Sequence, residues 1–192
     1  FRDLQVLANL VWIDPDLRSS RPRIKSLVDK GRDFSENDKL TLFKEYDNII
    51  SDIIHLYKRL LNEGLIEIIP TPFYDGPLPL LINVSVVNQV SSQVTLPPIL
   101  FSYPSDAQIL INKTLGYWIK LFGKTPQGMW SGFSSISPET VKIIENAGLD
   151  YLLVDSSKVK VNKSIYNVYI TPRKMKLLFG DSSLSDVFSQ PE

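Results

Sequence analysis

Residues 148–155 read GLDYLLVD, an apolar run that follows a helix-stopping glycine and ends in a carboxylate. A short run that is apolar on both faces is typical of a buried strand in a parallel sheet, so we predict a strand over Tyr151–Asp155. Immediately upstream, Ser137, Pro138 and Glu139 have the order of an N-cap, a first-position proline and an acidic first turn. This pattern predicts a helix that Gly148 ends and that leads directly into the strand.

Two more helices are predicted on the N-terminal side of this unit. Ser35 has the character of an N-cap, and apolar residues then recur at three- and four-residue spacing from Leu40 to Leu61. We therefore expect a long amphipathic helix that stops at Gly64. A further helix is expected from near Ser105 to Phe122, where Gly123 follows.

The basic stretch over residues 17–34 has the character of a loop. It contains Pro22 and Gly31, which commonly break regular structure, and acidic residues follow it immediately. The stretch is therefore predicted to be a solvated loop.

Short apolar runs predict the remaining strands. They cover Leu65–Ile69, Gly128–Trp130 and Lys176–Phe179, and a roughly alternating pattern over Val159–Ile170 is typical of a hairpin. Helices that alternate with short apolar strands indicate an α/β fold with a parallel sheet. Folds of this class place their chemistry on loops at the carboxyl ends of the strands.

Composition limits the chemistry that such a fold could perform. The chain of 192 residues has 21 basic and 21 acidic side chains, one histidine and no cysteine. Zero net charge argues against a nucleic-acid partner, and no apolar run approaches the ~20 residues of a membrane span. Without cysteine, and with His55 alone, thiolate and histidine-cluster metal sites are excluded and a Ser-His-Asp hydrolase is disfavoured. Any chemistry therefore falls to carboxylates, and no metal or other cofactor is expected.

Four acidic residues stand at or just beyond predicted strand ends: Glu67, Asp75, Asp155 and Asp181. Hydrolysis of a glycosidic bond needs two carboxylates that flank the bond, so these residues are candidates for a sugar site. The alternative is that each one caps a helix or binds turn amides. Asp181 is especially open to this alternative, because a short helical run follows it.

Aromatic residues cluster in the same loops. Rings at such positions can stack on the apolar faces of sugars, although core packing explains an aromatic residue more often. The residues concerned are Phe73, Tyr74, Phe101, Tyr103, Trp130 and Phe133.

The chain resembles the catalytic-domain core of glycoside hydrolase family 57, in its amylopullulanase-like and α-amylase-like form. Six regions, in the family's order, carry the resemblance across nearly the whole chain. They are Leu10–Leu17, Lys30–Asp38 (KGRDFSEND), Glu63–Leu81 (with EGLIEI, TPFY and LPLL), Tyr103–Ala107, Phe122–Trp130 (FGKTPQGMW) and Phe179–Asp186 (FGDSSLSD). The resemblance implies an incomplete or distorted (β/α)7-type barrel with parallel strands.

The sequence departs from the family at the positions that would carry catalysis. The family places its nucleophilic glutamate in GMWPSEGSVS, whereas this chain reads GMWSGFSSIS over residues 128–137, with Phe133 in the glutamate's place. A phenyl ring can neither attack an anomeric carbon nor stabilise an oxocarbenium ion by charge. Asp75 stands where the family has a sugar-contacting histidine, while Glu67 retains a family cleft position.

Two family elements are expected outside this segment. The first barrel strand, with its His-Gln-Pro signature, should precede Phe1, and the acid/base aspartate should lie in an Asp-Gly-Glu-Asn stretch after Glu192. We therefore expect one domain over residues 1–192 that is a fragment of a longer chain.

These features predict a degenerate, non-catalytic family 57-like domain that binds an α-glucan or another glycan, or that serves as a scaffold within a larger protein. The alternative is an active retaining α-glucan hydrolase or glucanotransferase whose site is completed by segments outside this chain. The expected partners are an oligo- or polysaccharide and the rest of the parent chain. The candidate substrate-binding residues are Glu67, Tyr74, Asp75, Trp130, Phe133, Asp155 and Asp181.

Overall fold

A computed structural model describes residues 1–90, 93–132, 135–158 and 164–189. The chain divides into two compact units, residues 1–67 and 68–192. No helix in the described ranges is long and apolar enough to cross a membrane.

The first unit is helical in its described structure. Its helices are α1 (Arg2–Val11), α2 (Pro15–Ser20), α3 (Pro22–Lys30) and α4 (Glu36–Asn62). Their apolar faces meet in one core, because residues three or four apart lie on the same side of a helix. That core contains Val6, Leu10, Ile13, Ile24, Leu27, Phe34 and Leu42.

Helix α4 confirms the prediction of a long amphipathic helix. Ser35 Oγ accepts a hydrogen bond from the Asp38 amide, and the Asp38 carboxylate accepts one from the Ser35 amide, so the two residues form a capping box. Lys30 pairs with the same carboxylate and, together with the Ser35 bonds, lowers the pKa of Asp38 to about 2. The N-terminus of α4 is therefore fixed by local side chains that the sequence reveals.

The prediction of a loop over residues 17–34 is wrong, because α2 and α3 occupy most of it. Pro22 is the first residue of α3, where a missing amide hydrogen costs nothing, and Gly31 ends the helix with a left-handed φ of 70°. The burial of Ile24 and Leu27 in the core then holds α3 in place. Both supposed breakers are helix boundaries.

The second unit contains helices and a four-stranded sheet. Its helices are α5 (Leu78–Ile82), α6 (Val87–Val90), α7 (Pro104–Phe122), α8 (Pro138–Asn146) and α9 (Ser182–Ser189), with short 3-10 turns at Val84–Val86 and Ser156–Lys158. Its strands are β1 (Gly128–Trp130), β2 (Tyr151–Asp155), β3 (Tyr169–Ile170) and β4 (Lys176–Gly180). The predictions of α7, α8, β1, β2 and β4 are confirmed.

The strands lie in the order β1-β2-β4-β3. Strand β2 pairs in parallel with β1 and with β4, whereas β3 pairs with β4 in the antiparallel direction. The register aligns Trp130 with Leu153, and Asp155 with Gly180. The carboxyl ends of three parallel strands therefore meet at one edge of the sheet.

Successive side chains of a strand point to opposite faces of the sheet, and the two faces differ in burial. Met129, Leu152 and Val154 are fully buried in a core that also contains residues of α5, α7 and α8. The opposite face carries Trp130, Leu153 and Asp155, and none of these is fully buried. One face of the sheet therefore packs in the core of the second unit, and the other face, called the open face below, is partly accessible to solvent.

Two strand predictions need correction. Leu65–Ile69 forms no strand, and Leu65 is largely exposed. This segment bonds to β1 at Pro70, whose carbonyl accepts the Trp130 amide at 2.9 Å. Because proline has no amide hydrogen to donate, Pro70 cannot continue a ladder of backbone hydrogen bonds along β1. Of the predicted hairpin over Val159–Ile170, residues 159–163 lie outside the described residues, and its end, β3, pairs with β4.

Candidate functional site

The carboxyl edge of the sheet brings three sequence-predicted candidates together. Trp130 ends β1 and is 36% exposed, and its indole reaches across the end of β2 toward β4. A Cβ atom placed on Gly180 would lie 4.0 Å from Cη2 of this indole. Because Gly180 pairs with Asp155 and precedes Asp181, the ring lies beside the strand ends that carry both carboxylates.

Both carboxylates accept local hydrogen bonds. Asp155 Oδ1 accepts the Ser157 amide at 2.8 Å, and Asp181 Oδ1 accepts the Leu184 amide at 3.1 Å in the first turn of α9. The expectation that Asp181 would cap the following helix is therefore confirmed. Each of these contacts uses one carboxylate oxygen of its residue.

Tyr166 completes this edge, and the sequence analysis missed it. Its hydroxyl donates to Asp181 Oδ2 at 2.7 Å, although the residue is 76% exposed. This bond is the main reason that the pKa of Asp181 is lowered from its ordinary value, with the Leu184 amide as the next cause. The same bond raises the pKa of Tyr166. Asp181 therefore stays ionised at neutral pH, which suits a hydrogen-bond acceptor better than a proton donor.

A pair of serines joins the loops behind the two carboxylates. The hydroxyls of Ser156 and Ser182 lie 3.3 Å apart, and the Ser182 amide points at Ser156 Oγ at 3.4 Å. The residues that follow Asp155 and Asp181 are thus in direct contact.

Asp75 lies on a neighbouring loop, near the end of β1. It has a left-handed φ of 60°, and its amide donates to the Pro72 carbonyl at 2.7 Å. A Cβ atom on Gly132 would lie 2.7 Å from the Gly76 carbonyl and 3.4 Å from Asp75 Oδ1. Glycine at 132 therefore lets this loop approach the end of β1, two residues beyond Trp130.

Tyr74 projects from the same loop and is 72% exposed. Lys113, on α7, donates to the Tyr74 hydroxyl, and its ammonium lies 4.8 Å from the centre of that ring. Sequence reasoning missed Lys113 because a contact across 39 positions leaves no local pattern.

The remaining candidates are Glu67 and Phe133. Glu67 is exposed and is the last residue of the first unit, with no strand before it. Phe133 lies outside the described residues. Glu139 is exposed in the first turn of α8, as the sequence indicates. Within the described ranges, no group of three or more acidic or histidine side chains could hold a metal ion.

The chain matches known proteins along most of its length. The family model "Glycosyl hydrolase family 57" matches residues 4–189. An α-amylase of Pyrococcus furiosus is 26% identical over 104 residues, which are 54% of this chain and 13% of that protein. The chain thus spans a small part of the curated relative that it matches.

Solved structures show the same fold at low identity. The α-amylase AmyC of Thermotoga maritima is 16% identical with a TM-score of 0.56, over 94% of this chain and 31% of that one. A branching enzyme of Thermococcus kodakaraensis, solved in complex with glucose, is 17% identical with a TM-score of 0.54, over 91% and 33%. These neighbours are (β/α)7 barrels, so the expectation of an incomplete barrel of this type is confirmed. By its sequence match and its fold, the chain belongs to glycosyl hydrolase family 57.

Proposed function

We propose that this chain is a degenerate family 57 domain that binds an α-glucan at the carboxyl edge of its sheet without cleaving it. The observation that carries the proposal is the half-exposed indole of Trp130, which extends toward Gly180 between the ends of β1 and β4. A fixed aromatic face with hydrogen-bond acceptors beside it is the arrangement that a sugar ring needs.

The polar groups around this ring support sugar binding. Asp155 Oδ1 and Asp181 Oδ1 each accept a local backbone bond, and Asp181 Oδ2 also accepts the Tyr166 hydroxyl. The lone pairs that remain on both carboxylates can accept bonds from sugar hydroxyls. Tyr166 adds a second exposed ring next to Asp181. Together these groups offer stacking and charged acceptors within one edge.

The absence of catalysis is inferred from the chemistry of three positions. Phe133 stands where the family resemblance places the nucleophilic carboxylate. The ionised, hydrogen-bonded state of Asp181 disfavours a role as general acid. Glu139 is the first acidic residue after Phe133 in sequence, and it lies in the first turn of α8. Its negative charge there stabilises the N-terminus of the helix, which explains the residue without a catalytic role.

The names of the relatives suggest the ligand class. They are α-amylases and a branching enzyme in complex with glucose, so we expect maltooligosaccharides rather than β-linked glucans to bind this chain. A scaffold role without sugar binding is the competing outcome of the test.

The test of binding is a calorimetric titration of the chain with maltoheptaose. Trp130→Ala should weaken binding about tenfold or more, because the stacking face is lost. Trp12→Ala is the matched control, since Trp12 is exposed in the first unit, and it should leave the affinity unchanged. Flat traces at millimolar sugar would contradict binding and favour the scaffold role.

The test of catalysis is the release of reducing sugar from starch by the protein in its natural length. We expect no turnover above that of a heat-denatured sample. Turnover that survives Phe133→Ala but is lost in Glu67→Gln would show that the site is active with a displaced nucleophile, and would overturn the non-catalytic proposal.

A further inference from the structure

A separate cavity lies between the loop over residues 70–75 and helix α7. It has a volume of about 300 Å³, and its walls are mostly apolar. The loop contributes prolines and two aromatic residues, and the helix contributes Thr114, Tyr117, Trp118 and Leu121. None of the side chains at the carboxyl edges of β2 and β4 lines this cavity.

Three rings form one wall of the cavity. Phe73 contacts Tyr74 and Tyr117 in edge-to-face geometry, with ring centres 5.3 and 5.5 Å apart. Tyr74 is 72% exposed and Tyr117 is 51% exposed. Two large aromatic side chains are thus held open to solvent around a central, partly buried ring.

Contacts from α7 fix this wall in place. The Phe73 amide donates to Thr114 Oγ1 at 2.8 Å, and that hydroxyl donates to the Leu110 carbonyl at 2.9 Å. Lys113 lies over the rings of Phe73 and Tyr74, 5.4 and 4.8 Å from their centres. Because the rings are already ordered, a ligand would not have to immobilise them.

The chemistry of the cavity fits a sugar ring better than a purely apolar ligand. Its stacking faces stand beside polar groups, since Thr71 and Asp75 are exposed on the same lining and Lys113 contacts the Tyr74 ring. Ligand pockets span roughly 300–1,000 Å³, so a cavity at the lower limit suits one small ring rather than a long segment.

We propose that this cavity is an accessory sugar-binding subsite, which takes one glucose unit of an α-glucan against Tyr74 and Tyr117. The choice of sugar rests on the proposed function. Asp75 connects this cavity with the carboxyl edge of the sheet. It lines the cavity, and its Oδ1 approaches Gly132, two residues beyond Trp130. A glucan bound along the carboxyl edge could therefore extend past Asp75 into the cavity.

Tryptophan resonances can test the two sites separately. The chain has three tryptophans, of which Trp118 lines the cavity, Trp130 lies at the sheet edge and Trp12 belongs to the first unit. In a ¹H–¹⁵N titration with maltotriose, we expect the indole signals of Trp118 and Trp130 to shift while that of Trp12 stays in place. Glucitol, which has no ring to stack, should shift neither signal.

Variants assign the shift at Trp118 to the proposed rings. Tyr117→Ala should weaken the binding seen at Trp118 about fivefold and leave the response of Trp130 unchanged. Tyr117→Phe keeps the ring and should bind as the parent chain does. Ile109→Ala, at an exposed position of α7 outside the cavity lining, is the matched control and should have no effect.

The outcomes separate this inference from the proposed function. A shift at Trp130 without any at Trp118 would overturn the accessory subsite and leave the proposed function standing. A shift at Trp118 that persists in Trp130→Ala would support an independent subsite. An equal response of Trp118 to glucitol, or an unchanged affinity in Tyr117→Ala, would also overturn the subsite.

Discussion

The two faces of the sheet in the second unit are built from the same strands but differ in what they contact. On one face, Met129, Leu152 and Val154 are buried among helices. On the other, Trp130 and Asp155 remain partly open to solvent. Alternation along a strand thus separates the side chains that hold the fold from those that can meet a ligand.

Under the proposed function, in which Phe133 stands in place of a catalytic carboxylate, this contrast explains how the family fold can persist. The buried face does not depend on a catalytic carboxylate, because a buried carboxylate costs folding free energy unless it is paired. The open face carries an aromatic ring, Trp130, and an acidic residue, Asp155. Stability and function can therefore change independently on the two faces.

The largest expected effect comes from truncation on the buried face. Leu152→Ala should lower the free energy of unfolding by about 2–5 kcal/mol, because it leaves a cavity at a fully buried position. Leu153→Ala, its neighbour on the open face, should cost clearly less. Urea denaturation measures both, and equal losses would show that the faces do not differ as described.

A smaller effect is expected where the Asp75 loop meets β1. Gly132→Ala should destabilise the chain by about 1–3 kcal/mol, because the new methyl group would lie 2.7 Å from the Gly76 carbonyl. Gly116→Ala is the matched control in α7, where a Cβ meets nothing within 4 Å. It should stabilise the helix by about 0.5–1 kcal/mol. A neutral Gly132→Ala would refute the close approach of the loop.

On the open face, a change of ring size should alter binding more than stability. Trp130→Phe keeps a smaller stacking face, so its dissociation constant for maltoheptaose should rise about threefold. Calorimetric titration gives this value, and thermal denaturation of the same variant gives the stability. An unchanged affinity would argue that the sugar does not stack on Trp130.

The smallest expected effect is a change in the titration of Asp181. Its pKa is lowered from 3.8 in the folded chain, mainly by the Tyr166 hydroxyl. The folded state therefore binds fewer protons than the unfolded state, and the stabilisation is present above the ordinary pKa and lost as pH falls through the lowered one.

Tyr166→Phe removes the main cause of this shift. The pKa of Asp181 should then rise toward its ordinary value, and ¹³C NMR of the carboxyl carbon, with Asp181→Asn for assignment, measures it. A pKa that stays equally low without the hydroxyl would assign the shift to the α9 amides instead.

Much of the fold could be predicted because its determinants are local. The Ser35 cap and the Ser137–Pro138 pair identify two helix starts, and the run over Tyr151–Asp155 identifies the central strand. Helix α3 was not predicted, because proline and glycine mark a helix boundary as readily as a loop. Only the burial of Ile24 and Leu27 distinguishes the two.

The candidate site could be predicted in part, for the same reason. Trp130, Asp155 and Asp181 lie at strand ends, and parallel strands bring their carboxyl ends together. Tyr166 and Lys113 reach the described clusters through tertiary contacts that no local pattern reveals.

The most direct test of the central claim is a ¹H–¹⁵N spectrum of the Trp130 indole during titration with maltoheptaose, with the saturated sample followed overnight. If the chain binds α-glucan without cleaving it, the signal should shift saturably and the saturated spectrum should stay constant. A Trp130 signal that does not move would contradict binding at the carboxyl edge. A shift that decays as the sugar is cleaved would contradict the non-catalytic assignment.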